Sequence, residues 1–280
     1  MALNAFQWWI LLNYIFKYPP EFEQKFFWFI KITPGMNVDI GTMLLTDILV
    51  YIATILTFYH SYKKYGFWKS FLFLTGSFVY TGLEETIWVY VGFQGNWGIP
   101  AFLTGNVYPP TYYWNYYKAL TWFLAIPVNA CFGWYFIAYG TVYLVETVIP
   151  EWDVNTNSGL FKISLVAGLL AMNMDLFIDP IMVRNESWYW LTSLKQNLYV
   201  FGIPIFNFVG WFLLIFFFSL YWNKLVSYEE KWGRNKTILV FYVGLVGLLF
   251  ATIYLILIVA ALLTPLYGIN LSIPGAGGLI

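Results

Sequence analysis

The chain has 280 residues and no net formal charge; 60% of its residues are hydrophobic and only 10% are charged. This is too little polar surface to cover a water-soluble globule, and several apolar runs are long enough to cross a bilayer. The basic residues are scattered, which argues against a nucleic-acid partner. A single cysteine excludes an internal disulfide, and a single histidine excludes a metal site with two histidine ligands.

The amino-terminal segment, residues 1–38, changes character along its length. Residues 3–16 form an apolar run of marginal length that either spans the membrane or lies in its interface. They lack the basic start and small-residue cleavage site of a signal peptide, so we treat them as part of the structure. Residues 17–38 mix aromatic residues with lysines and glutamates, which predicts an interfacial helix and loop.

Six clearer spans follow, and they predict an all-α, polytopic membrane protein with six to seven transmembrane helices. They form a helical bundle over residues 41–263, within one integral membrane domain that covers residues 1–280. Residues 264–280 are expected to be an exposed, weakly ordered tail with a turn at Pro274. The predicted spans are 41–61, 67–93, 119–146, 159–182, 198–222 and 237–263.

Lysine and arginine are densest in two connections, residues 62–69 and 222–236. Both connections fall on one side if the spans alternate, and the positive-inside rule makes that side cytoplasmic in a multi-pass protein of the cell membrane. The acidic and amide side chains of the spans then share the outer half of the bilayer, as in a pocket buried between helices. These side chains are Asp47, Glu84, Glu85, Asn129, Asp175, Asp179 and Asn207.

An internal repeat is predicted from two short segments. Residues 125–135 align without gaps with residues 202–212, at an offset of 77 residues, and share proline, glycine and tryptophan at the same separations. The second and third spans would then repeat the fourth and fifth in parallel, each pair joining an acidic helix to one opened by Pro127 or Pro204. Each proline frees a carbonyl, which a polar cavity tolerates and lipid does not.

The pair Asp175 and Asp179 lies one helical turn apart on one helix face, and Pro180 predicts that the helix bends or ends there. An aspartate at the centre of a membrane helix costs roughly 2.5–3.5 kcal/mol. Low dielectric and a second carboxyl nearby both favour the neutral, proton-donating form that a general acid needs. Glu84 and Glu85 point about 100° apart, so only one of them is expected to face the site.

These residues also have structural interpretations. Intramembrane carboxyls act as protonated hydrogen-bond donors between helices, which is the favoured interpretation for Asp47 and is open for the other acidic residues. Asn129 and Asn207 have two interpretations: they contact a ligand, or they form hydrogen bonds between helices. Trp188 and Trp190 suit an interfacial aromatic belt or the mouth of a pocket.

A motif in the second half suggests a family. It comprises Asp-Leu-Phe-Ile-Asp-Pro at 175–180, Trp-Tyr-Trp at 188–190, and Tyr199 followed by Gly-Ile-Pro, Asn-Phe and Gly-Trp within 202–211. This block resembles that of the membrane carotenoid-biosynthesis hydratases, the bisanhydrobacterioruberin hydratase family. The resemblance covers roughly residues 75–215.

The resemblance implies that water is added to a terminal double bond of a long acyclic carotenoid, giving a tertiary alcohol without a cofactor or metal. As a hypothesis, Asp175 or Asp179 donates the proton, and Glu84 or Glu85 orients or deprotonates the water. The bilayer and other membrane enzymes of the carotenoid pathway are the implied partners. The other predicted substrate contacts are Asn129, Trp134, Trp188, Trp190, Tyr199, Asn207 and Trp211.

Two further classes are open. A membrane prenyltransferase holds magnesium and a diphosphate with an Asp-x-x-x-Asp motif, which Asp175 and Asp179 match, although Glu84 and Glu85 are a poor second motif. Magnesium dependence would favour that class. A non-catalytic pigment-binding protein or proton-coupled transporter would instead bind or move its ligand without changing it.

Overall fold

The fold is a bundle of helices with small sheets at one end. The computed structural model describes residues 27–32, 40–94, 114–116, 118–124, 126–184, 187–190, 198–266 and 269–271. Within this part there are seven helices, and five of them are long and apolar enough to cross a membrane. The predicted class, a polytopic helical membrane protein, is confirmed. Residues 3–16 lie outside the described residues.

The helices account for nearly all of the described chain. Five carry the candidate spans, namely α1, α3, α4, α5 and α7, while the long helix α2 packs against α1, α3 and α7. The helices are α1 (Ile40–Tyr65), α2 (Phe67–Gln94), α3 (Val128–Val148), α4 (Asn157–Arg184), α5 (Ile205–Val226), α6 (Glu229–Trp232) and α7 (Arg234–Leu263).

Within the described residues, eight short strands form three small sheets. The first contains β1, β3 and β4, the second β2 and β5, and the third β6, β7 and β8. The strands are β1 (Phe27–Ile32), β2 (Trp114–Tyr116), β3 (Lys118–Phe123), β4 (Ile126–Pro127), β5 (Trp188–Trp190), β6 (Tyr199–Val200), β7 (Ile203–Pro204) and β8 (Asn270–Leu271).

Two predictions for the ends of the chain were wrong in part. Residues 27–32, expected in an interfacial helix and loop, form β1, which pairs antiparallel with β3. Aromatic and β-branched residues favour a strand once a partner strand satisfies their backbone groups. In the expected tail, Thr264–Leu266 is a 3₁₀ turn and β8 pairs parallel with β6. The turn at Pro274 lies outside the described residues.

The third and fifth spans begin later than predicted. Residues from 119 and from 198 were expected to be helical, but α3 begins at Val128 and α5 at Ile205, each after a β-hairpin. Pro127 and Pro204 are the N-cap residues, with φ of −58° and −59°. A proline is tolerated there because the first backbone N–H groups of a helix have no partner within it.

The repeat predicted from sequence appears as two equivalent hairpin–helix units. The hairpins have the same register: Phe123 pairs with Ile126 in one unit, and Val200 pairs with Ile203 in the other. At equivalent turn positions Leu124 and Phe201 have φ of 54° and 53°, a conformation that non-glycine residues seldom adopt. The two hairpins therefore share a backbone conformation although the side chains at their turns differ.

The two repeated helices run parallel. Trp134 and Trp211, at equivalent positions near the starts of α3 and α5, lie with ring centroids 4.4 Å apart. Contact at the same distance from each hairpin requires that both helices begin at the same end of the bundle.

The opposite end of the bundle carries the two connections that are richest in lysine and arginine. Lys69 forms an ion pair with Glu229 at 3.4 Å, and Arg234 lies over the ring of Trp68. The two lysine- and arginine-rich connections are therefore on the same side, as predicted. The hairpins lie towards the other end, together with Asp47, Glu84, Glu85, Asp175 and Asp179.

Candidate functional site

A cavity of about 180 Å³ lies between the helices, towards the hairpin end. All six long helices and β5 contribute to its wall, which is mainly apolar. No lysine, arginine or histidine is among the described lining residues. Its charged and amide lining residues are Glu84, Glu85, Asn129, Asp179 and Asn207.

Asn207 bridges the two aspartates of α4. Its Nδ2 donates to Oδ2 of Asp175 and to Oδ2 of Asp179, each at 2.6 Å. The aspartates face the same way because they are one turn apart, and Pro204 starts α5 so that Asn207 lies in its first turn. Two carboxyl groups on one helix are thereby held by a single amide from the next.

Only one of these aspartates reaches the cavity. Asp179 lines it, while Asp175 is fully buried behind and is not among the lining residues. Oδ1 of Asp175 is buried and has no hydrogen-bond partner among the described residues. The two Oδ2 atoms lie 2.6 Å from the same amide nitrogen, and two carboxyl groups held this close together favour a state in which one of them keeps its proton.

The α4 helix does not end at the aspartates. It continues through Pro180 to Arg184, so of the two predicted alternatives at Pro180, a bend or a helix end, the helix end is excluded. A proline inside a helix removes only its own N–H and disturbs one carbonyl a turn earlier. The remaining turn carries Met182, which also lines the cavity.

Both glutamates of α2 line the cavity, whereas only one was expected to face it. Trp88 Nε1 donates to Glu84 Oε1 at 2.6 Å, and Trp134 Nε1 donates to Glu85 Oε1. Side chains about 100° apart on a helix still border the same space when that space wraps around the helix face. The two carboxyl groups are therefore fixed separately, by different indoles.

Indole rings form one wall. The rings of Trp134 and Trp211 meet at 47°, and the side chain of Trp188 hydrogen-bonds Asp179. All three tryptophans line the cavity. The site thus places π-faces beside carboxyl groups in a largely apolar space.

Asp47 belongs to a different arrangement. Its Oδ2 accepts from the backbone N–H of Leu120 at 2.7 Å, and its Oδ1 accepts from Nδ2 of Asn129. Asp47 is buried and does not line the cavity, although Asn129 does. This carboxyl group joins α1 to β3 and to the start of α3.

Two predicted substrate contacts are not among the described residues that line the cavity. Tyr199 is buried in the third sheet, pairs with Pro204, and is not among the lining residues. For Trp190 the structure describes the backbone, which pairs with Trp114, and not the side chain. Among the described residues, no group of three acidic, histidine or cysteine side chains is arranged to bind a metal ion.

Sequence reasoning missed several residues of this site, and three of them carried a signal that could have identified them. Trp88 follows Glu84 by four positions, the spacing at which helical side chains meet, and that spacing was the available signal. Gly133 and Gly210 line the cavity at equivalent positions of the repeat. The Gly-Trp pair that the two repeated segments share was the available signal for these glycines, but it was interpreted only as evidence of a repeat.

Comparison with known proteins gives one match. The sequence model of the family described as "carotenoid biosynthesis protein" matches residues 103–273. This range includes the two hairpin–helix units and Asp175 and Asp179, and it excludes Glu84 and Glu85. No curated protein and no solved structure matches the chain.

Proposed function

Because the chain belongs to the carotenoid biosynthesis protein family, we propose that it is a hydratase of carotenoid synthesis, which adds water to a terminal carbon–carbon double bond of a long acyclic carotenoid. The product would be a tertiary alcohol. The observation that carries this proposal is the meeting of Asp179, Glu84 and Glu85 at one apolar cavity with a tryptophan wall. A hydrocarbon and an acid can come together there with little competing water.

Asp179 is the proposed proton donor. It lines the cavity, and Asp175 lies behind it and accepts from the same amide nitrogen of Asn207. One proton held by this pair halves the buried negative charge, and the amide of Asn207 keeps both oxygens in place. Asp175 is then a positioning residue and a proton partner rather than the group that meets the substrate.

Proton transfer to the less substituted alkene carbon forms a C–H bond and leaves a tertiary carbocation. The paired faces of Trp134 and Trp211 would stabilise this cation, because the faces of indole rings carry negative charge. The described lining has no basic side chain, so no fixed positive charge there opposes the cation.

Water completes the addition. A water molecule oriented by Glu84, Glu85 or the amides of Asn129 and Asn207 forms the C–O bond and loses a proton to a carboxylate of the site. Return of that proton to the aspartate pair restores the starting state. The balance is one alkene and one water in, one alcohol out, with no redox change.

The lining also separates this proposal from its rivals. A prenyltransferase must bind a diphosphate, and the described wall offers carboxyl groups and apolar side chains but no lysine, arginine or histidine to contact it. A pigment-binding protein needs the apolar space but not the carboxyl groups. The proposed setting is the cell membrane, with the hairpin end outward, beside other membrane enzymes of the pathway.

The test uses the whole chain in lipid nanodiscs with a long acyclic carotene and water labelled with heavy oxygen. We expect a product heavier by one labelled water per modified end, formed without added magnesium or nucleotide. A carotene that stays bound and unchanged would contradict the hydratase and indicate a binding protein. Turnover that requires magnesium and an isoprenoid diphosphate would indicate a transferase.

A further inference from the structure

The cavity is not equally buried along its length. Glu85, Trp134 and Asp179 lie at its buried end, each with 5% or less of its surface exposed. At the other end the lining residues are only partly covered and come from three helices. These residues are Thr46 and Val50 on α1, Gly133 on α3, and Ile178 and Met182 on α4.

The partly covered end faces the side of the bundle. Gly133 and Gly140 are two turns apart on α3, and Leu144, one turn further, is 49% exposed. Beside the lining residues, Leu49 on α1 and Phe177 on α4 are 56% and 72% exposed. Large exposed apolar side chains on membrane-spanning helices contact lipid, so the cavity opens towards the bilayer.

We propose that this lateral groove, floored by Gly133 and bordered by α1 and α4, binds the chain of the polyene substrate and admits its end from the bilayer. The identity of the occupant rests on the proposed function. A long polyene cannot be enclosed in a cavity of about 180 Å³, so most of the molecule must lie outside it. Through this groove the polyene extends from the carboxyl groups into the bilayer without crossing a polar surface.

Gly133 is the residue that keeps the groove open. A Cβ atom built there has no neighbour within 4 Å, so the absent side chain leaves real space. The rim is mainly apolar, with Val50, Ile178 and Met182, as a hydrocarbon chain requires. An anionic headgroup would find no lysine, arginine or histidine among the described lining residues. Gly133 is thus a specificity-determining residue for an apolar, acyclic chain.

The experiment compares Gly133→Leu with Gly140→Leu. Gly140 is a matched control because it lies on the same face of α3, also has open space at its Cβ, and does not line the cavity. Each variant and the unmodified chain are placed in nanodiscs with a long acyclic carotene. Bound carotene is measured by its visible absorption after repurification, and hydrated product by mass spectrometry.

We expect Gly133→Leu to lower bound carotene by about tenfold or more and Gly140→Leu to change it by less than about twofold. Both variants should elute as folded protein, since a Cβ atom at either position has no neighbour within 4 Å. If Gly133→Leu fails to fold, Gly133→Ala carries the test, with a smaller loss expected.

The outcomes separate the groove from the hydratase. Normal binding and hydration by Gly133→Leu would overturn the groove and leave the hydratase standing. Carotene that is bound by the unmodified chain, lost in Gly133→Leu and never hydrated would support the groove and overturn the hydratase. Equal loss of bound carotene in both variants would overturn the groove as the specific site.

Discussion

The two hairpin–helix units share a backbone and differ in how they use an asparagine. In the first unit Asn129 donates to Asp47, which also accepts from the backbone of Leu120. In the second unit Asn207 donates to two aspartates of the preceding helix. The first arrangement joins three elements, while the second presents a carboxyl group to the cavity.

A shift of one residue accounts for this difference. In the repeat, Asn129 is equivalent to Phe206, and Asn207 is equivalent to Ala130. One position rotates a helical side chain by about 100°, which directs the two amides to different neighbouring helices. One scaffold thus supplies both a structural joint and a candidate catalytic pair, and the variants below test whether they are separate.

The largest effect is expected for Asp179→Asn. The amide keeps the shape but has no acidic proton to give, so hydration should fall by about 10²–10⁴-fold, the usual contribution of a general acid. The measurement is labelled-water incorporation per folded protein in nanodiscs. Bound carotene should stay near that of the unmodified chain, because the apolar wall is intact. Hydration within about threefold of normal would remove Asp179 from the mechanism.

A smaller loss is expected for Asn207→Leu, roughly 10–100-fold in hydration, because the aspartates lose the amide that orients them while the acid remains. The readout is the initial rate at saturating carotene. Asn207→Asp is a useful companion: it adds a third carboxyl to the pair and should be at least as harmful. Full activity in Asn207→Leu would show that the bridge is only structural.

Trp134→Phe should lower the rate of hydration by about tenfold. The change removes the indole N–H that donates a hydrogen bond to Glu85, while it keeps an aromatic face. Trp211→Phe, at the equivalent position of the other unit, is the matched control and should cost less. Initial rates of both variants give the comparison. A larger loss in Trp211→Phe would place the important contact on the ring rather than on the hydrogen bond.

Hydropathy was sufficient to predict the helices but not where two of them begin. Most residues of β3 are apolar, and the turn and β4 that lead from it into α3 are apolar too, so no change of composition marks the hairpin. Pro127 and Pro204 were recognised as special, yet a proline within an apolar run is compatible with an opened helix as well as with a helix start. The strands needed their partners, such as β1 for β3, which lies far away in sequence.

The site was predictable at the level of residue types. Carboxyl and amide groups in membrane helices are costly, so their grouping in one layer could be expected before the structure. The sequence could not show which aspartate faces the cavity, because Asp175 and Asp179 share one helix face and differ only in depth behind neighbouring side chains. The number of glutamates at the cavity could not be predicted either, because the angle between two side chains on a helix does not determine the shape of the space beside them.

The smallest effect on catalysis is expected for Asp47→Leu, although the protein should lose stability. The change leaves the N–H of Leu120 and the amide of Asn129 without their carboxyl acceptor, which costs about 1–3 kcal/mol in a buried joint. Thermal unfolding in detergent should occur at a lower temperature, while hydration per folded protein changes by less than about threefold. A loss as large as that of Asp179→Asn, in protein that is still folded, would mean that the two asparagine arrangements act as one site. A shared proton path through Asn129 would then be the physical reason, because this amide contacts Asp47 and lines the cavity.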